Sequence, residues 1–265
     1  MLRFRWLLLL SLMFLVACPV TLDDDDSVSD DDDASADDDD TAPDDDDTGP
    51  NDDDSSDDDD AVPDFVDATF VFAPAVPGED VEGIEVTWGE EVVATDANGR
   101  ARFTLPSRTD FAVSGAAAGI QTTWIEGNTG VRSFQFTTFV GSTDLHDQVV
   151  ASIGLPPRDP ARGTLVVAMD TAALQAALGA VANVSPEGDH PFVFVNGQAE
   201  LGRELVFQAD GFVTFPNVVA GEVEVTVTPP ESNICLSFPG LSGPSDYTTY
   251  TVHPGAVTTA QFICQ

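Results

Sequence analysis

The side chains here that could do chemistry are three histidines, three cysteines, four candidate stacking aromatics and a large excess of acids. Zinc hydrolysis of the common helical type needs two histidines four residues apart with a glutamate between them. His146, His190 and His253 lie far apart, and no such motif occurs. The densest ligand grouping is Asp144-Leu145-His146-Asp147, read as a loop leading into a strand. Gly240-Leu241-Ser242-Gly243 does not have the spacing of a nucleophile elbow. All nine bases are arginine, which excludes lysine Schiff bases, a phosphate-loop lysine and lysine–asparagine isopeptide links. Paired carboxylates for glycoside cleavage are present by residue type, but small sandwiches offer no deep cleft for them. The sequence therefore reads as non-enzymatic, with no catalytic residue and no cofactor. Trp88, Trp124, Tyr247 and Tyr250 remain as aromatics that could stack on a sugar. Trp124, Tyr247 and Tyr250 are the ligand candidates, and Tyr247-Thr248-Thr249-Tyr250, in a Gly/Pro/Ser-rich loop, is expected to be exposed.

The elements that hold these residues follow from how the charge is distributed. The formal net charge is −38 over 265 residues. Residues 23–60 contain 23 of the 47 acids and no base, so seven arginines face 24 acids after residue 60, a net of −17. Nucleic-acid binding depends on basic groups neutralising phosphates and is excluded as a role. An anionic membrane surface would repel the globular region as well.

Residues 1–17 read as an export signal. Arg3 and Arg5 supply the positive start, and Trp6 to Val16 is an apolar run of eleven residues. That is too short to span a bilayer. Leu15-Val16-Ala17-Cys18 resembles the bacterial lipoprotein box. The resemblance implies cleavage before Cys18, a diacylglyceryl thioether on its sulfur and a palmitate-type acyl group on its amine. Several acyl chains together anchor firmly where one would be marginal. In that family an aspartate directly after the cysteine favours inner-membrane retention. Pro19 stands there instead, which implies an outer-membrane location, periplasmic or surface-exposed. With Cys18 assigned to lipid, Cys235 and Cys264 remain as an even pair. Outside the cytoplasm such a pair is expected to oxidise. A bridge closing about 30 residues would contribute roughly 3–4 kcal/mol in the chain-entropy account.

Residues 18–61 form an Asp-rich tether. Its heptads start at 23, 30, 37, 44, 51 and 58 and begin DDDDSVS, DDDDASA, DDDDTAP. The period is that of a coiled coil, but no apolar seam exists, and Pro43, Pro50 and Pro63 interrupt it. Neighbouring aspartates repel and extend the chain, so a disordered spacer of up to ~125 Å is expected. Weak, diffuse Ca²⁺ binding at blocks opened by Asp23, Asp30, Asp37 and Asp44 is the sharper alternative. No ordered Ca²⁺ loop is present.

From 62 onward, short β-rich runs alternate with turn residues, the pattern of a β-sandwich. Ala68 to Ala73 reads as a strand with Phe70 and Phe72 on one face, and Ile84, Val86 and Trp88 alternate in the next. Asn98-Gly99 is a hairpin signal. After it, Ala101, Phe103 and Leu105 point inward between exposed Arg100, Arg102 and Thr104, and Phe111 with Val113 continues the core. Residues 132–139 and 147–153 are expected as later strands. The run Thr95 to Pro106, followed by Phe111-Ala112-Val113-Ser114 and Gly119, resembles the carboxypeptidase regulatory-like domain, with Ala101 where that family usually has an aromatic. The resemblance implies a transthyretin-like, seven-stranded and non-catalytic sandwich.

Pro156-Pro157-Arg158-Asp159-Pro160 reads as a linker. A strand at Gly163–Asp170 and a brief helix at Ala172–Leu178, with an Ala-rich loop as its alternative, follow. Gly211 aligns without gaps on Gly99, Phe215 on Phe103, and Val223 and Val225 on Phe111 and Val113. The alignment places Asp210-Gly211 in a hairpin turn and predicts a second, similar sandwich, with Val223, Val225 and Val227 facing its core.

The resulting expectation is an all-β protein of two tandem sandwiches (transthyretin-like or Ig-like), 62–158 and 162–265, behind a signal (1–17) and an acidic tether (18–61). Its expected role is that of a membrane-anchored lipoprotein displaying two modules for structural or binding purposes to a protein or glycan partner. Carbohydrate or peptidoglycan binding, or a Ca²⁺-responsive surface role, is the alternative.

Overall fold

A computed structural model describes residues 62–230, 234–240 and 248–265. The signal, Cys18, the aspartate tract and Tyr247 lie outside the described residues. No helix among the described residues is long and apolar enough to cross a membrane.

The first half supplies seven strands: β1 (Phe65–Pro74), β2 (Glu85–Trp88), β3 (Glu91–Ala94), β4 (Arg100–Pro106), β5 (Asp110–Ala116), β6 (Thr123–Asn128) and β7 (Phe134–Val140). One helix follows, α1 (Thr143–Ser152). The second half supplies β8 (Arg162–Thr171), β9 (Val181–Ser185), β10 (Phe192–Val195), β11 (Gln198–Leu201), β12 (Ala209–Val219), β13 (Gly221–Thr228), β14 (Cys235–Ser237), β15 (Thr249–Val252) and β16 (Val257–Cys264). The period-2 alternation that suggested strands is the pattern of burial. Val66, Ala68, Phe70 and Phe72 of β1 are buried, as are Ala101, Phe103 and Leu105 of β4 and Val223 and Val225 of β13.

The internal repeat is present in the topology. β4-β1-β7 pair in that order, antiparallel then parallel. β12-β8-β16 repeat both the order and the directions. β2-β5-β6, all antiparallel, correspond to β9-β13-β15. Each half thus packs two layers over its own apolar core, one centred on Phe70, Phe72, Phe111 and Phe136, the other on Leu165, Val167, Phe215 and Val225.

The halves are joined through their sheets. β6 pairs in parallel with β16, so the order β11-β10-β12-β8-β16-β6-β5-β2-β3 is one continuous sheet built from both halves. Register partners in a parallel pair project to the same side of the sheet. Thr259 stands beside Ile125 of the first core, whereas Thr258 stands beside both Trp124 and the second-core residue Leu165. The two cores therefore occupy opposite faces of the shared sheet. The three-stranded layers β4-β1-β7 and β15-β13-β9 cover those faces in turn.

Four local expectations are corrected. Residues 147–153 belong mainly to α1 and not to a strand. Ser142 caps the helix, accepting from the Leu145 amide at 3.2 Å, and Asp144 sits in the first turn, where a negative charge favours the helix end. Ala172–Leu178 is a run of turns, because Asp170 bridges back to Ala176 and the Ala177 amide donates to Met169. That is the irregular alternative. Asn98-Gly99 makes a tight turn but links β3 to β4 across the two layers, so the strands it joins are not a hairpin. Its geometry comes from Asp96, whose carboxylate accepts from the amides of Asn98 (2.8 Å) and Arg100 (2.9 Å), while Gly99 takes φ +71°. Asp210-Gly211 lies inside β12 instead of at a turn, and the chain reverses at Phe207-Gln208. A side chain at Gly211 would crowd the Asp170 carboxylate.

Candidate functional site

Where β6 meets the second half, the sheet carries Trp124 and Glu126 on one side. β13 holds β15 in register, and β15 lies over that side. The result is a polar cluster built from both halves. The Thr251 amide donates to Glu126 Oε2 at 2.7 Å. His253 Nε2 stands 3.4 Å from Glu126 Oε1, and the imidazole stacks on Trp124 with centroids 3.9 Å apart and planes 15° apart. The Thr258 hydroxyl donates to the Thr251 carbonyl at 2.8 Å. On the other side of the sheet the Thr138 and Thr259 hydroxyls meet at 2.9 Å, and Gln121 Nε2 donates to the Gly255 carbonyl at 3.1 Å.

Glu126 is almost fully buried. Burial pushes its carboxyl above the ordinary glutamate range, against the lowering effect of the Thr251 amide and of His253. A buried acid with an imidazole beside it can exchange a proton. Here both are engaged in holding two strands together, with a tryptophan ring closing over the imidazole.

Trp124 is half-buried, and one ring face is already occupied by His253. Tyr250 is not the exposed aromatic expected. The loop ends before β15, and alternation along that strand turns Tyr250 and Val252 into the second core. Its hydroxyl meets Ser237 Oγ at 3.3 Å, its ring packs near Phe262, and burial pushes its phenol up. Trp124 and Tyr250 thus lie on neighbouring elements of the junction but share no open surface.

The Asp144–Asp147 grouping opens α1. His146 is largely buried, which lowers its affinity for a proton, and the neighbouring Arg158 adds to that against the pull of Asp147. Arg158 Nε stands 3.8 Å from Asp147 Oδ1. Among the described residues no group of three or more His, Cys, Asp or Glu is placed to hold a metal.

Cys235 and Cys264 are bonded, directly opposite each other where β14 pairs with the end of β16. Immediately beyond β14, Phe238 packs on Phe134 and Phe136 of the first core, and Pro239 reaches Gly127 of β6. The bridge in the second half therefore fixes a plug for the first.

Sequence reasoning missed Glu126, and it named His253 without a partner for it. An acid within Thr123-Trp124-Ile125-Glu126 sits in the outward phase of an ordinary strand. Its burial comes from β15, more than 120 residues away in the chain.

No protein-family model matches the chain, and no curated protein matches it in sequence. Among solved structures it is similar to the Bacillus anthracis TIE protein at 12% identity and a TM-score of 0.24, over 76% of this chain and 34% of that one. A streptococcal ancillary pilin gives 14% identity and 0.24 over 76% and 63%. The minor pilin GBS52 of Streptococcus agalactiae gives 12% and 0.26 over 75% and 95%. The chain spans about a third of the length of the first and under two thirds of the second. Each is a likeness, and none assigns a role to this chain.

Proposed function

We propose that this is an outer-membrane lipoprotein, acylated at Cys18, whose acidic tether presents a non-catalytic double β-sandwich for structural or binding purposes. The observation that carries the reading is the cysteine arithmetic. Cys235 and Cys264 satisfy each other, and the one remaining cysteine of the chain is the residue that ends Leu15-Val16-Ala17-Cys18. The interlocked halves suit a rigid displayed body better than a site of turnover. The likeness of residues 95–119 to a carboxypeptidase regulatory-like domain supports the same non-catalytic role.

Metabolic labelling with an alkynyl palmitate tests the anchor. Wild-type protein should carry the label and stay with membranes after an alkaline wash, and Cys18→Ala should carry none. A labelled Cys18→Ala, or an unlabelled wild type, would sink the reading. The second reading, glycan or peptidoglycan binding, has Trp124 as its remaining described aromatic. It predicts that Trp124→Ala abolishes retention on a peptidoglycan column. Diffuse Ca²⁺ on the tether would appear as chain compaction at millimolar Ca²⁺.

A further inference from the structure

Strand direction distinguishes the ends of the folded module. β6, β16 and β8 run the same way, so their C-terminal ends mark one end of the long sheet. The lead into β1 is held at that end. The Asp64 carbonyl accepts from the Ser107 amide at 2.9 Å, and the next amide, Arg108, donates to Gly130, just past β6, at 2.6 Å. Val62 and Phe65 stand exposed there. The second half turns the connections after β8, before β12 and before β14 to the same end. They carry Leu174, Leu178, Phe207 and Ile234, with Leu174 and Phe207 73% and 76% exposed. The Leu174 amide is tied to Thr171 at the close of β8, and Ile234 pairs with Gln265 just past β16. Leu174 and Phe207 thus face water on separate loops at this end, an arrangement that costs free energy there.

We propose that this end of the module rests on a zwitterionic lipid surface, with the tips around Leu174 and Phe207 entering the boundary between headgroups and acyl chains. The proposal rests on the anchor reading, which says where the surface is. Residues 19–61 join the acylated Cys18 to Val62, and Val62 leads into the fold at this same end. Aromatic and aliphatic tips gain from entering that boundary roughly what they gain from burial. Arg108 and Arg132, also exposed at this end, make no ion pair among the described residues and are available to headgroup phosphates. The net acidity of the module selects a zwitterionic surface over an anionic one.

The test uses residues 19–265, which carry neither the acylated cysteine nor the apolar signal run, with phosphatidylcholine vesicles brominated along their acyl chains and the emission of Trp88 and Trp124 in the unsubstituted chain as the baseline. Phe207→Trp should give emission that the bromines quench. Val219→Trp, where β12 pairs with the start of β8 at the opposite end of the sheet, should not. Leu174→Asp with Phe207→Asp should weaken vesicle binding about tenfold. Leu201→Asp with Val219→Asp, exposed at the opposite end, should leave it unchanged and controls for folding. No quenching at position 207, equal quenching at both positions, or binding indifferent to the paired aspartates overturns the proposal. So does self-association abolished by those aspartates without vesicle binding, which would assign the surface to a second copy. Because the anchor is judged by palmitate labelling and the surface by quenching without an anchor, either can fail alone.

Discussion

Trp124 of β6 and His253, just past β15, lie face to face with centroids 3.9 Å apart, one from each half of the molecule. The indole therefore reports on the junction. His253→Ala should lose roughly 0.5–1.5 kcal/mol from the ring contact. Urea unfolding followed by tryptophan emission checks this, with Trp88 in the first core as an internal reference. An unchanged midpoint would mean the stack is incidental.

Glu126 gives a pH signature. Burial raises its pKa in the folded state, so its carboxylate form is the less tolerated one. The stability linked to its proton is fully present below the ordinary glutamate value and is lost as pH rises through the raised one. Glu126→Gln keeps an acceptor for Thr251 without the charge. It should be more stable than wild type at pH 7, with the gap closing toward pH 4. Denaturant midpoints at the two pH values decide it, and a gap that widens on acidification contradicts the assignment.

Glu126→Ala differs, because it strands the part-buried Thr251 amide. That should cost about 1–3 kcal/mol at any pH, and amide exchange at Thr251 should accelerate.

The Cys235–Cys264 bridge should matter on both sides of the junction. Cys235→Ser with Cys264→Ser is expected to lose roughly 2–4 kcal/mol. Phe238→Ala alone, which leaves the bridge intact, should loosen the packing around Phe134 and Phe136 by about 2 kcal/mol. Methyl or aromatic NMR shifts confined to the second half would refute that coupling.

Gly115 stands where the Phe72 ring crosses β5, and a Cβ there would overlap the ring. Gly115→Ala should destabilise by about 1–3 kcal/mol through displacement of Phe72. A neutral thermal melt would show the core to be softer than the contact implies.

Where strands are amphipathic the sequence could be read directly. Phe70 and Phe72, or Val223 and Val225, reveal their faces by alternation because one side of each layer is wet. The gapless match of Gly99, Phe103 and Phe111 to Gly211, Phe215 and Val223 carried the repeat, which returns as matching strand order in the two halves. Where the deciding contact is distant, the reading failed. Val149-Val150 looks like strand until Ser142 is recognised as a helix cap. Tyr250 looks like loop until β13 fixes its register. Nothing near Glu126 in the chain announces that β15 will cover it, nor does anything near Trp124 announce His253.

The shared sheet bears on how this protein tolerates cutting. A cleavage in the Pro156–Pro160 stretch severs one covalent link but leaves β6 hydrogen-bonded to β16. Fragments separated by force would each bare a row of unpaired amides and carbonyls, a template for adhesion to other chains. The seam thus acts as a second fastening. A nicked copy stays whole, and one torn apart is turned into an aggregation hazard.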